Sequence, residues 1–372
     1  MTDFSGDDRR FMRRAMELAE AGLYSTPPNP AVGCVLERWG QPVGEGFHAR
    51  AGGAHAEIAA LENAGPAAAG ATAYVTLEPC SHHGRTPPCA DALIAAGVSR
   101  VVVAMRDPNP AVDGGGLARL AAAGIATDVG LMADEAAELN RGFVSRMSRG
   151  RPWVTLKLGA SLDGRTALAN GTSKWITGEP ARADVQRLRS RASAVVTGSG
   201  TVVADDPLLT ARDQRFEMRG RRPLRVVLDS SLRTPRLAHV LSVPGPTLIL
   251  TLDTESERAE ELREAGASVE SVPAGDGGLD LAAVLSRLAA LECNEVLVEA
   301  GPTLAGAFLR AGLTDEIVVY MAPVVLGSAA RSLFNMPELE RMCDRCEFTW
   351  RDVGRVGDDL RLTLRPRLRG EG

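Results

Sequence analysis

Between residues 76 and 89 the chain reads Thr76-Leu77-Glu78-Pro79-Cys80-Ser81-His82-His83-Gly84-Arg85-Thr86-Pro87-Pro88-Cys89, and the tripeptide His55-Ala56-Glu57 precedes this stretch. One imidazole and two thiolates are three ligands for tetrahedral zinc, and a catalytic zinc site leaves its fourth position to water. Such a zinc lowers the pKa of its water to about 7, so that hydroxide forms at neutral pH. The sequence therefore predicts a catalytic zinc site, with His55, Cys80 and Cys89 as ligands and Glu57 as the proton shuttle.

The H-x-E and P-C parts of this pattern agree with zinc nucleobase deaminases, whereas the spacing of the two cysteines differs. The deaminase pattern is H-x-E followed by P-C-x-x-C, whereas here eight residues separate Cys80 from Cys89. The longer loop has to fold back, so that Cys89, at the start of the next helix, reaches the metal. Side chains two apart in a helix interior point to nearly opposite sides. His55 and Glu57 therefore share a site only in the first turn of a helix or in the loop before it.

The structural alternative is that His55 and Glu57 form an ordinary helix start, and that Cys80 and Cys89 are buried thiols that bind no metal. His82 and His83 are rival ligands, but their adjacency makes it awkward for both to bind one ion, and they are interpreted as substrate-side or loop residues.

Around this stretch the first part of the chain alternates helices and strands. The spacing of the apolar residues predicts helices over 11–21, 55–63 and 88–96, and strands over 31–36, 42–47, 73–77 and 100–104. A polar stretch from Arg146 to Pro152 then interrupts the pattern. We place the domain boundary at residue 148, which gives domains 1–148 and 149–372.

The second part of the chain repeats the alternation with longer elements. Strands are predicted over 153–158, 194–197, 224–228, 247–252, 295–299 and 316–320, and helices over 181–191, 255–265, 279–291 and 303–311. Strands separated by helices of this length favour a largely parallel sheet with both faces covered. Both domains are therefore of the α/β class.

Length and composition describe an ordinary globular protein with two cores. The chain has 372 residues, 45% hydrophobic and 24% charged, and six cysteines too scattered for a disulfide scaffold. No stretch approaches the roughly 18 apolar residues of a membrane span, and the acidic first residues lack the apolar core of a signal peptide. We expect a cytoplasmic protein. The net charge of −5 gives no global attraction to nucleic acid.

Two residue types are rare enough to examine singly. Of the 42 basic residues only Lys157 and Lys174 are lysines. Cys34 and Cys293 lie in apolar contexts and are predicted to be small core residues. The pair Cys343 and Cys346 forms a lone C-x-x-C, which is interpreted as structural or incidental because no second pair accompanies it.

Three loops of the second domain are suited to bind a ligand. Residues 157–164 leave a strand through small residues, which lets a ligand approach the backbone closely. Residues 197–201 follow a strand and offer backbone amides to a phosphate. Residues 298–306 pass from a strand into a helix N-terminus, which is a ready anion site. Each loop alone is equally compatible with simple turn chemistry.

Together with Pro28-Asn29-Pro30 and Val32-Gly33-Cys34, the stretch 76–89 resembles the bifunctional riboflavin-biosynthesis deaminase-reductases, a family that accounts for the eight-residue gap. The resemblance continues through the three loops, 173–177 and 204–210, and extends from Asp8 to about Leu362. It implies a cytidine-deaminase-like α/β/α domain followed by a dihydrofolate-reductase-like α/β domain. The implied reactions are zinc-dependent deamination of a diaminopyrimidinone ribosylamine 5′-phosphate and NADPH-dependent reduction of its ribosyl group to ribityl.

The resemblance also implies roles for individual residues. The zinc ligands and Glu57 keep the roles given above, and Asn29 helps to hold the pyrimidine, although a turn residue between two prolines is an equal alternative. Contacts to the cofactor are implied for Gly159, Trp175, Thr201, Asp205, Ser230, Gly301, Pro302, Thr303, Leu304, Ala305, Gly306 and Ala307. Contacts to the substrate are implied for Ser173, Arg189, Leu209, Arg212 and Glu299.

Arginine suits a phosphorylated substrate because its planar fork pairs two phosphate oxygens. The alternative for Arg189, which lies in an arginine-rich helix, is a solvated surface charge. No side chain of this domain has to act as a nucleophile, since hydride chemistry belongs to the nicotinamide. Lys157 is a candidate to polarise the reacting group, without an assigned role. The preference for NADPH over NADH rests on the resemblance alone.

Two other functions compete with this interpretation. One is a nucleobase or tRNA deaminase whose second domain is a non-catalytic RNA-binding module, and the other makes that domain a catalytically inactive ligand sensor. The acidic balance, the long gap between the cysteines and the lack of an aromatic and basic platform count against RNA. The expected partner is a small phosphorylated pyrimidine, without nucleic acid or membrane, and the resemblance allows a homo-oligomer.

Overall fold

The computed structural model describes residues 3–81, 88–110 and 112–367, and the chain divides into two compact units. Unit 1 comprises residues 1–150 with the short segment 217–221, and unit 2 comprises residues 151–216 and 222–372. The predicted boundary at residue 148 falls inside the last turn of a helix that ends at Arg149. The arginine-rich stretch is therefore helical up to that residue and does not form an extended linker.

Unit 1 begins with a helix that its own sequence caps. Ser5 accepts from the Asp8 N–H and Asp8 accepts from the Ser5 N–H, which is a capping box. The elements of unit 1 are α1 (Gly6–Ala21), β1 (Gly33–Arg38), β2 (Gln41–Phe47), α2 (Ala56–Ala64), β3 (Thr72–Val75), α3 (Cys89–Ala95), β4 (Arg100–Val103), α4 (Gly115–Ala122), β5 (Ala126–Val129), α5 (Ala133–Leu139) and α6 (Arg141–Arg149).

The strands of unit 1 form one sheet in the order β2-β1-β3-β4-β5. β1 is antiparallel to both of its neighbours, whereas β3, β4 and β5 are parallel. One face of the sheet packs on α1 and α5 through a core that includes Met12, Val35 and Ala136. The other face packs on α2, α3 and α4. The unit is thus a three-layer α/β/α domain, in agreement with the sequence.

Unit 2 is built on a longer sheet. Its elements are β6 (Trp153–Ser161), β7 (Arg165–Ala167), α7 (Glu179–Arg191), β8 (Ala194–Gly198), α8 (Ser199–Asp205), β9 (Leu224–Leu228), α9 (His239–Ser242), β10 (Thr247–Thr251), α10 (Glu257–Glu264), β11 (Ser268–Ser271), β12 (Ala274–Gly275), β13 (Gly278–Leu279), α11 (Leu281–Ala290), β14 (Glu295–Glu299), α12 (Pro302–Arg310), β15 (Glu316–Ala322), β16 (Arg331–Ser332), β17 (Phe348–Val356) and β18 (Asp359–Pro366).

The main sheet of unit 2 has the order β11-β10-β9-β8-β14-β6-β15-β18-β17. Its first seven strands are parallel, and β18 and β17 close the edge as an antiparallel hairpin. Each face is covered by a separate apolar core, one with Phe308 and the other with Tyr320. The predicted parallel sheet is correct for the central strands. Within the described ranges, no helix has the length and apolar character needed to cross a bilayer.

Candidate functional site

Three short segments of unit 1 bring the predicted metal ligands together. His55 is the N-cap of α2, with extended backbone, and Glu57 lies in the first turn of that helix. Cys80 follows β3, and Cys89 is the first residue of α3. The spacing of His55 and Glu57 requires this placement. His55 has extended backbone whereas Glu57 is helical, so the rule for two residues in a helix interior does not apply to them.

The side chains of His55, Cys80 and Cys89 form a compact triad. Nδ1 of His55 lies 3.7 Å from Sγ of Cys80 and 3.2 Å from Sγ of Cys89, and all three ligand atoms lie within 4.8 Å of one another. Among the described residues they are the one group of this kind. One imidazole and two thiols at these separations fit a tetrahedral zinc with an open fourth position. Residues 82–87, and with them His82 and His83, lie outside the described residues.

A hydrogen bond joins the two thiols of the triad. The hydrogen bond with Cys89 lowers the pKa of Cys80 to about 4, and the same contact raises the pKa of the Cys89 thiol. Cys80 also accepts from the Cys89 main-chain N–H at 3.3 Å. The Cys80 thiolate raises the pKa of His55 through a hydrogen bond. Cys80 is therefore the more acidic of the two thiols, and the thiolate is the form that binds a metal.

Glu57 lies beneath this triad and is almost fully buried, with 3% of its surface exposed. Burial raises the pKa of Glu57 to about 7. A carboxyl group that titrates near neutral pH can both accept and donate a proton during one reaction cycle. Glu57 therefore has the protonation behaviour that a proton shuttle needs.

Asn29 is joined to the triad through His48. Nδ1 of His48 faces the Ala54 carbonyl oxygen at 2.9 Å, so it has to donate, and burial lowers the pKa of His48. Nε2 of the neutral ring is then an acceptor, and it lies 3.0 Å from Nδ2 of Asn29. The ring of His48 packs edge-on against His55, with centroids 5.3 Å apart. Asn29 is thus held beside the triad with its amide orientation fixed.

Unit 2 contains an open cleft of about 1640 Å³ at the carboxyl ends of its parallel strands. Pockets for small molecules typically measure about 300–1,000 Å³, so this cleft is large enough for a dinucleotide together with a second molecule. Most of the predicted residues line it, namely Gly159, Ser173, Trp175, Arg189, Thr201, Asp205, Leu209, Arg212, Ser230, Glu299, Gly301, Pro302, Thr303, Leu304 and Ala307. Ala305 and Gly306 do not line the cleft, because they face the interior from α12.

The floor of this cleft is a buried carboxylate with two cationic partners. Arg189 donates to both oxygens of Glu299, at 2.5 and 3.0 Å, and Nζ of Lys157 lies 3.2 Å from Glu299 Oε2. Burial alone would raise the pKa of Glu299, but Arg189 and Lys157 outweigh it and lower the pKa to about 2. Only 13% of the Arg189 side chain is exposed. Arg189 is therefore not the solvated surface charge that the sequence left open.

The loops around this floor are also tied to one another. The Gly301 N–H donates to Oγ1 of Thr201 at 3.3 Å, which links the start of α12 to α8. Trp175 is 69% exposed, and the guanidinium of Arg182 stacks 4.5 Å from its ring. The predicted phosphate loop 197–201 is the junction where β8 passes directly into α8.

Several cleft residues escaped the sequence interpretation. The sequence assigns no role to Lys157, although this residue pairs with Glu299 across neighbouring parallel strands. Arg233 donates to Oγ of Ser199 at the cleft wall, and residues 275–282 form part of the same wall. The rarity of lysine was the one available signal for Lys157. The other positions depend on strand order, which the sequence pattern does not contain.

Two family models match the chain. Residues 5–105 match the cytidine and deoxycytidylate deaminase zinc-binding region, and residues 152–362 match the RibD C-terminal domain. The first match spans the metal triad, and the second spans the cleft.

Two curated proteins are similar to this chain over nearly its full length. The riboflavin biosynthesis protein RibD of Escherichia coli is 50% identical over 368 residues, which cover 96% of this chain and 99% of that protein. The protein of the same name from Haemophilus influenzae is 45% identical over 376 residues, covering 99% of this chain and 100% of that protein.

Two solved structures share the whole fold. Form 2 of Acinetobacter baumannii RibD superposes with a TM-score of 0.90 at 45% identity, covering 97% of this chain and 99% of that one. A Thermotoga maritima diaminohydroxyphosphoribosylaminopyrimidine deaminase/5-amino-6-(5-phosphoribosylamino)uracil reductase superposes with a TM-score of 0.84 at 34% identity, with the same coverage. These similarities extend over both units.

Proposed function

The chain belongs to the RibD family of bifunctional deaminase-reductases of riboflavin biosynthesis, and on that premise we propose which of its residues carry the two reactions. The family combines a zinc-dependent deaminase domain with an NADPH-dependent reductase domain. The competing interpretations, a tRNA deaminase with an RNA-binding module and a deaminase with an inactive sensor, lose their basis because the similarity covers both domains.

The proposed substrate of unit 1 is the diaminopyrimidinone ribosylamine 5′-phosphate, and the proposed ligands of zinc are His55, Cys80 and Cys89. When bound, zinc supplies acidified water as the nucleophile. Glu57 would take one proton from the attacking water and pass it to the amino group, so that the C–N bond breaks and ammonia leaves. The ring carbon would keep the oxygen, and the second proton of the water would go to the ring nitrogen. Asn29 contacts the pyrimidine with the amide orientation that His48 imposes. The burial that brings the pKa of Glu57 to about 7 supports this role.

The proposed role of the unit 2 cleft is to hold NADPH against the ribosyl group. NADPH supplies the hydride. The small residues Gly159 and Gly301 let the cofactor approach the backbone, and the N-terminus of α12 faces its phosphates. The other proposed cofactor contacts are Trp175, Thr201, Asp205, Ser230, Pro302, Thr303, Leu304 and Ala307. Ala305 and Gly306 face the interior and support the loop from that side.

The proposed substrate contacts are divided differently from the sequence expectation. Three of the five N–H groups of Arg189 are used on Glu299 and Thr210, so its planar fork is committed to the protein. We assign the phosphate principally to Arg212, whose guanidinium has no carboxylate partner in the described part of the chain and faces the same cleft. Arg189 keeps two N–H donors for substrate. Glu299 keeps acceptor capacity on Oε1, and Ser173 and Leu209 line the same cleft.

The observation that carries this proposal is the convergence of the predicted residues on one triad and one cleft. The test is to incubate the purified protein with the diaminopyrimidinone ribosylamine phosphate and NADPH. Ammonia should appear first, and NADPH absorbance should then fall. If ammonia appears and NADPH is never consumed, the reductase assignment is wrong. If the protein releases no ammonia although it holds zinc, the assignment of unit 1 is wrong.

We also propose a cytoplasmic enzyme, in keeping with the six cysteines, all of which are free thiols. Its proposed partner is a small phosphorylated pyrimidine. The lack of a nucleic-acid or membrane partner and the homo-oligomer stay predictions.

A further inference from the structure

Glu78 lies two residues before the metal ligand Cys80 and has an unusual set of partners. Only 3% of its surface is exposed. Its Oε1 accepts from the N–H groups of Gly116 and Leu117 at 3.0 and 3.2 Å, and its Oε2 accepts from those of Asp107 and Gly114 at 3.3 and 3.1 Å. In the described part of the chain no basic side chain pairs with it.

These four donors belong to one structure, the loop after β4 and the first turn of α4. Gly114 is the N-cap of α4 and offers no side chain to its own free N–H groups. The first N–H groups of a helix need acceptors, and negative charge at this end is favourable. Glu78 supplies that acceptor from the segment that carries Cys80. The carboxylate therefore ties the metal-binding loop to α4.

The backbone of α4 approaches the metal-binding loop without any side chain between them. A Cβ on Gly116 would lie 1.8 Å from the Pro79 carbonyl oxygen, and a Cβ on Gly115 would lie 2.6 Å from Oγ of Ser81. The Glu78 N–H in turn donates to the Met105 carbonyl oxygen at 3.0 Å. The two residues that flank Cys80, Pro79 and Ser81, therefore both pack closely against the first turn of α4.

We propose that Glu78 is a positioning residue for the metal centre, which sets the place of Cys80 by locking its loop to the first turn of α4. The inference rests on the proposed zinc site, and it adds a residue that contacts neither metal nor substrate. The four hydrogen bonds need two acceptor oxygens. A glutamine would turn an NH₂ group toward two of the N–H donors, so that the contact would become repulsive on one side.

The test compares Glu78→Gln with the wild-type chain in a chelator competition for zinc. Supporting groups around a metal site typically contribute about 10–100-fold in metal affinity, and we expect a loss of at least about tenfold. In the cobalt-loaded protein the thiolate-to-metal absorption should also weaken or shift. Asp8→Asn is the matched control, since Asp8 is another buried carboxylate of unit 1 whose contacts are Ser5, Tyr74 and Arg100.

The outcomes separate this inference from the proposed function. If Glu78→Gln binds zinc as tightly as wild type and shows the same cobalt spectrum, the positioning role is wrong. A wild-type chain that binds no zinc at all would instead overturn the proposed metal site. Should Glu78→Gln not fold, Gly116→Ala tests the same contact, and zinc affinity unchanged in that variant would overturn the inference. Reduction of the deaminated substrate in unit 2 should be unaffected in each case.

Discussion

At the scale of single residues, the role that we propose for Glu57 depends on the burial of its carboxyl group. Glu57 is removed from water by α2 and the sheet beneath it, and its pKa rises because the charged form loses hydration. A carboxyl at the surface would stay ionised at neutral pH and would be a poor proton donor to the leaving amine. The place of Glu57 in the first helical turn and its raised pKa therefore both support the proposed role as proton shuttle.

Replacing Glu57 by Gln should abolish ammonia release while the protein keeps its zinc. The amide has nearly the same shape but cannot carry the proton, and loss of a general acid-base group typically costs about 10²–10⁴-fold in rate. Ammonia release and bound zinc are measured on the same sample. Loss of zinc in this variant would make Glu57 a ligand and contradict the assigned role.

Replacing Arg189 by Ala should reduce the reduction step and destabilise unit 2. A buried charge left without a partner typically costs about 3–5 kcal/mol. Because Glu299 keeps Lys157 as a partner, we expect a smaller loss of stability than this. Arg189→Lys should restore only part of the activity, since an ammonium does not form the two-pronged contact. NADPH consumption with the deaminated substrate is the measurement.

Arg187→Ala is the matched control for Arg189. Arg187 lies on the same helix, and its described ion pair is with Asp184 one turn away. If Arg187→Ala slows reduction as much as Arg189→Ala, the effect belongs to the helix and not to the pair at the floor of the cleft.

The sequence identified many of these residues but not their partners. His55, Cys80 and Cys89 stood out because their types and order match a ligand set. Arg189 and Glu299 were both expected to face substrate, and nothing in their positions, 110 residues apart, indicated that they bond to each other. That contact follows from the packing of α7 against β14, which the spacing of apolar residues does not encode.

At the scale of elements, α2 lies unusually close to β2 because glycine removes the side chains between them. A Cβ on Gly46 would lie 2.5 Å from the Ala56 carbonyl oxygen and the Ala60 N–H nitrogen, and one on Gly44 would lie 2.4 Å from the Ala60 carbonyl oxygen. Since α2 begins next to His55 and carries Glu57, this close approach fixes the height of both side chains above the sheet.

Gly46→Ala should therefore weaken zinc binding as well as stability. The added methyl group has no room and has to push α2 away from β2, and such overpacking typically costs about 1–3 kcal/mol. Thermal unfolding and zinc content are the measurements. Gly6→Ala is the control, because a Cβ there meets nothing within 4 Å. If Gly46→Ala keeps wild-type stability and zinc content, α2 and β2 can accommodate the added methyl group and this prediction is wrong.

The sequence predicted the central strands of both units and the edge strand β2, whereas it did not predict the edge strands β5, β11 and β17. Buried strands such as β8 and β9 are short and mostly apolar, with Arg225 as an exception in β9, and the predicted bounds agree with the structure within a few residues. β17 is largely exposed, and its side chains show no regular alternation between apolar and polar. An edge strand of this kind is held by backbone pairing with β18, so its sequence contains little signal.

At the scale of the whole molecule, the two reactions use separate cofactors held by separate units. Removal of zinc by a chelator should stop ammonia release, while NADPH consumption with an already deaminated substrate should continue at its former rate. The reason is that the triad belongs to unit 1, whereas the cleft residues belong to unit 2. Added zinc should restore ammonia release. A parallel loss of both activities would contradict the division of labour.

The stability of the molecule should fall in acid through a few buried carboxylates. For Asp8, burial would raise the pKa, but hydrogen bonds led by that from Arg100 lower it from 3.8 to about 2. A lowered folded-state pKa contributes stability above about pH 4, and this contribution is lost as the pH falls toward 2. Asp8→Asn should cost on the order of 1 kcal/mol at pH 7 and less at pH 3, measured by urea unfolding. An equal cost at both pH values would contradict the assigned pKa.

The two lysines of the chain, Lys157 and Lys174, both line the cleft of unit 2. Lys157 stands beside Glu299 on the floor of the cleft, and Lys174 is exposed at its rim, with Nζ 3.3 Å from the Asp205 carbonyl oxygen. Since the other 40 basic residues are arginines, the side-chain amines of the whole chain are confined to one cavity. Among side-chain amines, an acylating reagent therefore modifies positions in that cavity alone. Mass spectrometry of tryptic peptides would read ligand occupancy directly from the protection of two positions.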